Sequence, residues 1–218
     1  MCGGRGERLH ALTQHTPKPL LPVGGKPMVE SIIEGFRDQG FKRFWLCVHY
    51  KAELIEKHFG NGERLGVKIK YTHEDRPLGT GGALRLLPKF DQPFIVCNAD
   101  VLTRLSYGHL MSFHAQERCQ ATVCLALHQY QVEFGVADVE DNRLVRMHEK
   151  PINNYLINGG IYVLNPEALD HAPEGAFGMP ELIERLDKVA AYPIQGFWVD
   201  CGRWEDYTKA NGEWPASA

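Results

Sequence analysis

Short apolar runs alternate with helical segments along the first half of the chain, and this alternation narrowly limits its fold. Residues 44–48 are typical of a buried strand, residues 52–59 predict a short helix that ends at Gly60, and residues 67–71 alternate like a strand. Parallel strands need a crossover connection, which is usually a helix. The pattern therefore predicts an α/β domain built on a parallel sheet.

The rest of the chain continues this order and then departs from it. The other predicted elements are helices at 29–36, 82–87 and 107–116 and strands at 93–97, 121–127 and 156–164, with a hairpin formed by 134–140 and 143–149. The hairpin makes the sheet of the second half mixed. We expect a single domain over residues 1–218, with a mixed, mainly parallel sheet flanked by helices and a smaller part that contains the hairpin.

Composition excludes several classes of function. The 218 residues are 44% hydrophobic, which is enough for one sizeable core. The formal net charge is −3 and the basic residues are dispersed, which argues against a nucleic-acid partner and favours a small anionic substrate. The chain has no apolar run of membrane length, no signal peptide and no Cys-x-x-Cys pair, so we expect a cytoplasmic protein with reduced thiols and no membrane partner.

The N-terminal segment contains a loop suited to phosphate. Gly3, Gly4 and Gly6 leave backbone N–H groups open to phosphate oxygens, and Arg8 and Lys18 can neutralise charge. A flexible, solvated terminus is the alternative that the glycines alone leave open. The spacing matches neither the Walker A loop nor the dinucleotide fingerprint, which argues against a dinucleotide-dependent dehydrogenase.

Two carboxylates follow or end strand-like runs. Asp100 comes just after the apolar run 94–97, and Asp200 lies in Trp198-Val199-Asp200. Open α/β sheets bind ligands beyond the carboxyl ends of their strands, although a single Asp there is also typical of a helix cap or turn. Two carboxylates can share a magnesium ion whose other ligands are waters and phosphates. We therefore predict that Asp100 and Asp200 hold Mg²⁺.

Three further segments each allow a second interpretation. Leu78-Gly79-Thr80-Gly81, between a strand and a helix, is on its own a flexible turn with a threonine cap. Glu149-Lys150 is typical of solvated surface, and Asn158-Gly159 is typical of a turn.

Taken in order, these segments resemble the signature of the sugar-1-phosphate nucleotidyltransferases. That signature reads Gly-Gly-x-Gly-x-Arg-Leu, then Pro-Lys-Pro-Leu, then a Gly-Lys-Pro turn, which is Gly25-Lys26-Pro27 here. The metal-binding acids of the family occur as Asn-Gly-Asp and Trp-x-Asp-x-Gly. Asp100 and Asp200 match them, with Ala99 in place of the glycine. The resemblance runs from Cys2 to about Tyr207.

The resemblance implies the Rossmann-like nucleotide-diphospho-sugar transferase fold and Mg²⁺-dependent transfer of a nucleotidyl group from a nucleoside triphosphate to a sugar 1-phosphate, with release of pyrophosphate. It assigns the triphosphate to Gly3, Gly4 and Gly6, charge neutralisation to Arg8 and Lys18, and the incoming sugar phosphate to Lys150. It places the nucleobase against Leu78, Gly79, Thr80 and Gly81, and the sugar against Gly135, Glu149, Asn158 and Gly159.

The chain is most similar to cores resembling mannose-1-phosphate guanylyltransferase and N-acetylmuramate-1-phosphate uridylyltransferase, and we favour guanylyl transfer onto a hexose or hexosamine 1-phosphate. Two alternatives stay open: a cytidylyltransferase acting on phosphocholine, and a catalytically silent nucleotide-sugar sensor. Gly81 replaces the family's usual alanine, so the base preference does not carry over. A homo-oligomer is also compatible with the resemblance.

The chain departs from the family pattern at its start. In that family a hydrophobic strand runs into the glycine loop, whereas only Met1 and Cys2 precede the loop here. A central parallel strand is buried on both faces, and its loss leaves backbone groups of the neighbouring strands unpaired. We therefore expect a strand upstream of Met1, with room for a further domain before it.

Overall fold

The structure is a computed structural model that describes residues 1–4 and 6–214. The α-helices are α1 (His10–Thr13), α2 (Met28–Asp38), α3 (Ala52–Phe59), α4 (Gly79–Gly82), α5 (Tyr107–Glu117), α6 (Met179–Ile183) and α7 (Trp204–Glu213). Short 3-10 helices span Glu7–Leu9, Lys18–Leu20, Glu63–Leu65, Ala83–Leu86 and Pro166–His171.

The strands form one four-stranded ladder and four strand pairs. They are β1 (Pro22–Val23), β2 (Lys26–Pro27), β3 (Arg43–Val48), β4 (Lys68–His73), β5 (Phe94–Cys97), β6 (Val101–Thr103), β7 (Ala121–Gln131), β8 (Val136–Glu140), β9 (Arg143–His148), β10 (Ile152–Leu164), β11 (Val189–Pro193) and β12 (Trp198–Asp200). The ladder has the order β11-β7-β10-β5, and the pairs are β1-β2, β3-β4, β6-β12 and β8-β9.

The predicted mixed sheet flanked by helices is confirmed, but parallel pairing is less common than predicted. Within the described part of the chain, only β3-β4 and β7-β11 are parallel ladders. The β5-β10, β7-β10 and β6-β12 pairs are antiparallel. The difference arises because β10 and β12 return from the second half of the chain and pair beside strands of the first half.

Two strands are longer than the sequence predicted. β7 continues to Gln131 and β10 starts at Ile152, and the extra residues pair with each other in register. The side chains in this extension are mostly exposed. Because neither face of it is buried, the sequence there lacks the alternation that marks a half-buried strand.

Helix α2 shows how the sequence positions the first half of the molecule. Its buried residues include Met28, Val29, Ile33 and Phe36, which lie on one face at helical spacing. Val29 and Ile33 pack in the core with Leu46 and Val48 of β3. This packing anchors the segment that follows the Lys18–Leu20 turn against the sheet.

The carboxyl ends of several strands meet at one edge. Glu74 follows β4, and its N–H donates to the carbonyl of Val48 at the end of β3 (3.0 Å). Asn98 follows β5 and donates to the carbonyl of Gly160 in β10 (2.9 Å). Among the described residues, no helix is long and apolar enough to cross a bilayer.

Candidate active site

A cavity of about 270 Å³ opens at this edge of the sheet. Its walls come from four parts of the sequence: the N-terminal loop, the Lys18–Leu20 turn, the segment after β4 and the segment after β5. The lining residues include Gly3, Gly4, Lys18, Glu74, Gly79, Thr80, Asn98 and Asp100. The structure thus brings together residues that were predicted separately for the triphosphate, the nucleobase and the metal.

Lys18 and Asp100 are in direct contact in this cavity. The Lys18 ammonium donates to Oδ2 of Asp100, and the two side chains are 11% and 23% exposed. The 3-10 turn at Lys18–Leu20 buries the stem of Lys18 and directs its ammonium to the end of β5. The arrangement places a positive charge and a carboxylate at the same point beside the glycine loop.

Asp200 lies next to Asp100 because their strands are paired. Asp200 is opposite Val101 in the β6-β12 ladder, and the N–H of Cys201 donates to the carbonyl of Asp100 (2.9 Å). Burial, followed by the negative charge of Asp100, raises the pKa of the Asp200 carboxyl. The predicted pair of acids is therefore adjacent in space, and its two negative charges repel each other.

One oxygen of Asp200 has no hydrogen-bond partner among the residues that the structure describes. Oδ1 of Asp200 is buried and accepts no hydrogen bond from the described residues. A buried carboxylate oxygen in this state is unfavourable unless a cation or donor engages it. The described residues contain no group of three or more metal-ligating side chains. Two carboxylates without further protein ligands suit Mg²⁺, which retains waters and phosphate oxygens in its coordination shell.

Arg8 reaches the same corner from the N-terminal segment. A Cβ atom added to Gly202 would lie 3.1 Å from Nη2 of Arg8 and 2.8 Å from Oδ1 of Asp200. The guanidinium therefore lies beside Asp200, separated from it by a residue with no side chain. Position 202 needs glycine for this close approach.

The three glycines of the N-terminal loop differ in whether the surrounding structure leaves space for a side chain. A Cβ on Gly3 would lie 2.5 Å from Oε1 of Glu74, whereas a Cβ on Gly4 would meet nothing within 4 Å. Gly6 has φ +66°, and its Cβ would lie 2.9 Å from Cγ2 of Thr13. Gly3 and Gly6 are thus needed by the packing of the loop, while Gly4 is exposed beside the cavity.

Glu74 is a cavity residue that the sequence analysis missed. It is 7% exposed, and its Oε2 accepts a hydrogen bond from the N–H of Leu78 (3.0 Å). The bond ties the segment predicted for the nucleobase to the end of β4. The available signal was the same as for Asp100, an acidic residue directly after a predicted parallel strand.

The segment Leu78–Gly81 packs against Phe177, far along the chain. The N–H of Gly81 donates to the carbonyl of Phe177 (3.0 Å), and the N–H of Phe177 donates to the carbonyl of Leu78 (2.9 Å). A Cβ on Gly81 would lie 2.7 Å from Cδ2 of Phe177, and Thr80 Oγ1 accepts from the N–H of Met179 (3.0 Å). These bonds also explain why helix α4 starts at Gly79, three residues before the predicted start.

The predicted sugar residues fall into two groups. Gly135 lies beside Glu149, because a Cβ on Gly135 would be 3.3 Å from Oε2 of Glu149. Lys150 is exposed and has a φ of +46°. Neither Glu149 nor Lys150 lines the 270 Å³ cavity in the described part of the chain. These three residues form a separate group at the base of the β8-β9 hairpin.

The second group lies beside the segments that carry Asp100 and Asp200. Asn158 donates to the hydroxyl of Tyr162 (2.6 Å) and accepts from the N–H of Gly160 (3.0 Å). The carbonyl of Gly159 accepts from the indole of Trp198 (2.9 Å). A Cβ on Gly160 would lie 2.9 Å from Nδ2 of Asn98. The pairing of β10 with β7 is irregular between Asn158 and Tyr162. This irregular stretch lies beside Asn98, in the segment that carries Asp100.

A family model described as nucleotidyl transferase matches residues 1–216. The chain belongs to this family. Relatives include the D-glycero-alpha-D-manno-heptose 1-phosphate guanylyltransferase of Campylobacter jejuni, 35% identical over 216 residues that cover 95% of both chains. The catalytic subunit beta of mannose-1-phosphate guanylyltransferase from Drosophila melanogaster is 33% identical over 221 residues.

Solved structures in the same family share the fold. The crystal structure of HddC from Yersinia pseudotuberculosis has a TM-score of 0.75 at 27% identity, covering 97% of this chain and 96% of that one. HddC complexed with GMP-PN has a TM-score of 0.73 at 25% identity, with the same coverage. The chain spans 59% of the Drosophila relative, so it corresponds to about three fifths of that longer protein.

Proposed function

We propose that this chain transfers a guanylyl group from GTP to a sugar 1-phosphate, with Mg²⁺ held by Asp100 and Asp200. The observation that carries the proposal is the meeting of Lys18, Asp100 and Asp200 beside the glycine loop. The two relatives named above are both guanylyltransferases acting on sugar 1-phosphates by name, which supports guanine as the base and a hexose or heptose as the sugar.

The reaction needs alignment and charge neutralisation more than proton transfer. A phosphate oxygen of the sugar 1-phosphate attacks the α-phosphorus of GTP, and pyrophosphate leaves. The nucleophile is already an anion, so no general base is required, and positioned charges account for the acceleration. Magnesium, when bound, supplies positive charge to the phosphate oxygens at the reacting centre.

Different residues of the chain bind the triphosphate, the leaving pyrophosphate and the nucleobase. Backbone N–H groups of Gly3 and Gly4 face the triphosphate, and the Lys18 ammonium turns from Asp100 to the transferred phosphate. Arg8, next to Asp200, neutralises charge on the leaving pyrophosphate. Thr80 and its glycine neighbours border the nucleobase.

The sugar phosphate enters from the β10 side. Asn158 and Gly159 contact the sugar beside the segments that carry the two acids, while Gly135, Glu149 and Lys150 approach from the hairpin base. The exposure of Lys150 leaves its ammonium free to meet a phosphate that arrives from solvent.

Pyrophosphate release tests the proposal directly. The protein is incubated with Mg²⁺ and each common nucleoside triphosphate, against mannose 1-phosphate, glucose 1-phosphate, the manno-heptose 1-phosphate and phosphocholine. We expect release with GTP and one of the hexose or heptose phosphates, and none from the Asp100→Asn variant. Asp170→Asn, an exposed substitution away from the site, serves as the matched control.

Other outcomes each have a definite meaning. Pyrophosphate release only with CTP and phosphocholine would show that the acceptor is an alcohol phosphate and not a sugar 1-phosphate. No release from protein shown to be folded by circular dichroism, together with tight binding of GDP-sugars, would make the chain a nucleotide-sugar sensor.

A further inference from the structure

Exposed apolar side chains are concentrated in one segment of the chain. Of the thirteen large apolar residues that are exposed in the described part of the chain, eleven lie between residues 127 and 156. This segment comprises the ends of β7 and β10 and, between them, the whole β8-β9 hairpin. Single exposed apolar residues are ordinary on a protein surface, whereas a concentration of them marks an interaction surface.

The β8-β9 hairpin separates apolar and charged side chains onto opposite faces. In its register, Ala137 is opposite Met147 and Val139 is opposite Leu144. Directly paired residues share a face, as do alternate residues of one strand, so these four residues form one face, here named the apolar face. The opposite face carries Val136, Asp138, Glu140, Arg143, Arg146 and His148.

The described part of the chain leaves the apolar face exposed. Val139, Leu144 and Met147 are 61%, 62% and 56% exposed. Among the described residues, β8 and β9 pair only with each other. A hairpin of two strands is at most marginally stable in water unless further strands or a helix pack on it. The apolar face therefore needs a partner.

The side chains of the apolar face make it complementary to itself. β8 contributes the smaller Ala137 and Val139, and β9 contributes the longer Leu144 and Met147. The face is therefore low along one strand and high along the other. A two-fold axis parallel to the strands places β9 of each copy over β8 of the other, so the high side of one face meets the low side of the other.

The distribution of charge also favours a second copy of this chain. Every charged residue of the two strands lies on the face opposite the apolar face. Two copies can therefore join their apolar faces without bringing like charges into contact. A partner rich in charged side chains would find no counter-charge on this face.

We propose that the apolar face of the β8-β9 hairpin is a homodimer interface, in which two copies pack face to face about a two-fold axis parallel to the strands. Such an axis keeps each residue at its own level along the hairpin. Val139 of one copy then lies over Leu144 of the other, and Ala137 lies over Met147. The two hairpins together form two packed layers of two strands each.

The area of the apolar face is sufficient for a weak but specific dimer. Val139, Leu144 and Met147 present roughly 100 Å² each and Ala137 about half as much, so two copies bury on the order of 700 Å² of apolar surface. This is the apolar share of an interface of about 1,200 Å² in total, the lower end of the range for stable complexes. A dissociation constant in the micromolar range is therefore expected.

Sedimentation velocity without substrate tests the proposal, with protein from low to high micromolar concentration. Val139→Glu places a charge at the centre of the apolar face. Val136→Glu is the matched control, because it makes the same substitution in the same strand but on the opposite face. Circular dichroism checks that both variants keep the fold.

The wild-type protein is expected to shift from monomer to dimer as its concentration rises. Val139→Glu is expected to raise the dissociation constant at least about 30-fold, and Val136→Glu to change it less than about threefold. Leu144→Lys alone is expected to be monomeric like Val139→Glu. A mixture of these two variants is expected to form heterodimers, because the new glutamate and lysine lie opposite each other across the interface.

A wild-type protein that stays monomeric at every concentration overturns the proposal, and monomer that sediments with phosphatidylcholine vesicles would assign the face to a lipid surface instead. A dimer that resists Val139→Glu, or that both valine variants weaken equally, places the interface elsewhere and also overturns it. Failure of the mixed variants to associate rules out the proposed axis. Because the readout is molecular mass without nucleotide, these failures are distinct from failure of the proposed transferase activity.

Discussion

Lys18 and Asp100, 82 positions apart in the sequence, form an ion pair beside the glycine loop. The pair joins the turn after the N-terminal segment to the end of β5, and it sets a cation next to a carboxylate predicted to bind metal. In the function proposed above, this is the point where Mg²⁺ and the triphosphate would meet Lys18. The pairing holds Lys18 in position and keeps the charge of Asp100 compensated in the meantime.

Replacing Asp100 by asparagine is expected to lower kcat by about 10²–10³-fold or more while leaving the fold intact. The change keeps the shape of the side chain but removes the charge that we propose holds Mg²⁺. Steady-state pyrophosphate release measures kcat, and circular dichroism checks the fold. Asp170→Asn is the control, and an Asp100→Asn variant with a near wild-type rate would remove this residue from the metal site.

Asp200→Asn is expected to lower activity but to raise the Tm near neutral pH by about 2–4 °C. In a chain of this size, that Tm increase corresponds to about 1 kcal/mol of free energy of unfolding. The pKa of Asp200 is raised by burial and by Asp100, so its contribution to stability is present below its unfolded pKa and is lost as pH rises through the folded value. The asparagine side chain carries no charge, so the variant does not lose this stability as the pH rises.

Thermal unfolding from pH 4 to pH 8 checks this. The difference in Tm between Asp200→Asn and wild type should shrink toward the acid end of the range. A variant that is less stable than wild type at every pH would contradict the repulsion between Asp200 and Asp100.

Gly81→Ala is expected to destabilise the protein by about 1–3 kcal/mol, because the added methyl group overlaps the ring of Phe177. The family's usual alanine at this position is therefore incompatible with Phe177 as it is placed here. A smaller side chain should relieve the overlap, so Gly81→Ala combined with Phe177→Leu is expected to cost less than the sum of the single changes.

Gly79→Ala provides the matched comparison in urea unfolding. Its Cβ would lie 2.9 Å from the backbone carbonyl carbon of Phe177, and its φ is +79°. Because the obstacle there is backbone, Phe177→Leu should give no rescue of Gly79→Ala. Equal coupling of both glycines to Phe177→Leu would show that the ring is not the obstacle at Gly81.

Glu30→Gln is expected to destabilise the protein by about 1–3 kcal/mol at pH 7 and much less at acid pH. Glu30 is 6% exposed and accepts bonds from Nη1 and Nη2 of Arg64 at 3.0 and 2.7 Å. The bond to Arg64 lowers the pKa of Glu30 below its ordinary 4.5. The stabilisation is thus present above about pH 4.5 and is lost as pH falls through the lower folded value.

Urea unfolding of Glu30→Gln and wild type between pH 2.5 and pH 7 measures this dependence. Glu53→Gln, an exposed glutamate in α3, is the control and should leave stability almost unchanged at every pH. A constant difference between Glu30→Gln and wild type across the range would contradict the charge-assisted bond to Arg64.

Residues that carry a local signal could be singled out from the sequence, and the structure places several of them around one cavity. The glycine loop, Lys18 in its proline-flanked turn and the acids at strand ends each carry their signal within a few neighbouring residues. Asp100 was predictable because a short apolar run directly precedes it, and Glu74 carried the same kind of signal after β4. These positions follow from backbone geometry and from where parallel strands end.

Contacts between distant segments were not predictable. Phe177 lies 96 positions from Gly81, and nothing in either segment indicates that a ring fills the space beside the glycine. The exposed ends of β7 and β10 were missed because their ladder buries neither face, so the side chains show no pattern to detect.

The amino-acid sequence by itself determined the α/β class, the order of the motifs and the types of residue available for phosphate and metal, because these depend on local periodicity and backbone freedom. Tertiary structure decided which of them meet. The β6-β12 pairing brings Asp200 beside Asp100, and Lys18 reaches across to the end of β5. Such arrangements depend on how nonlocal strands pair and how side chains share buried space, which no local stretch of sequence specifies.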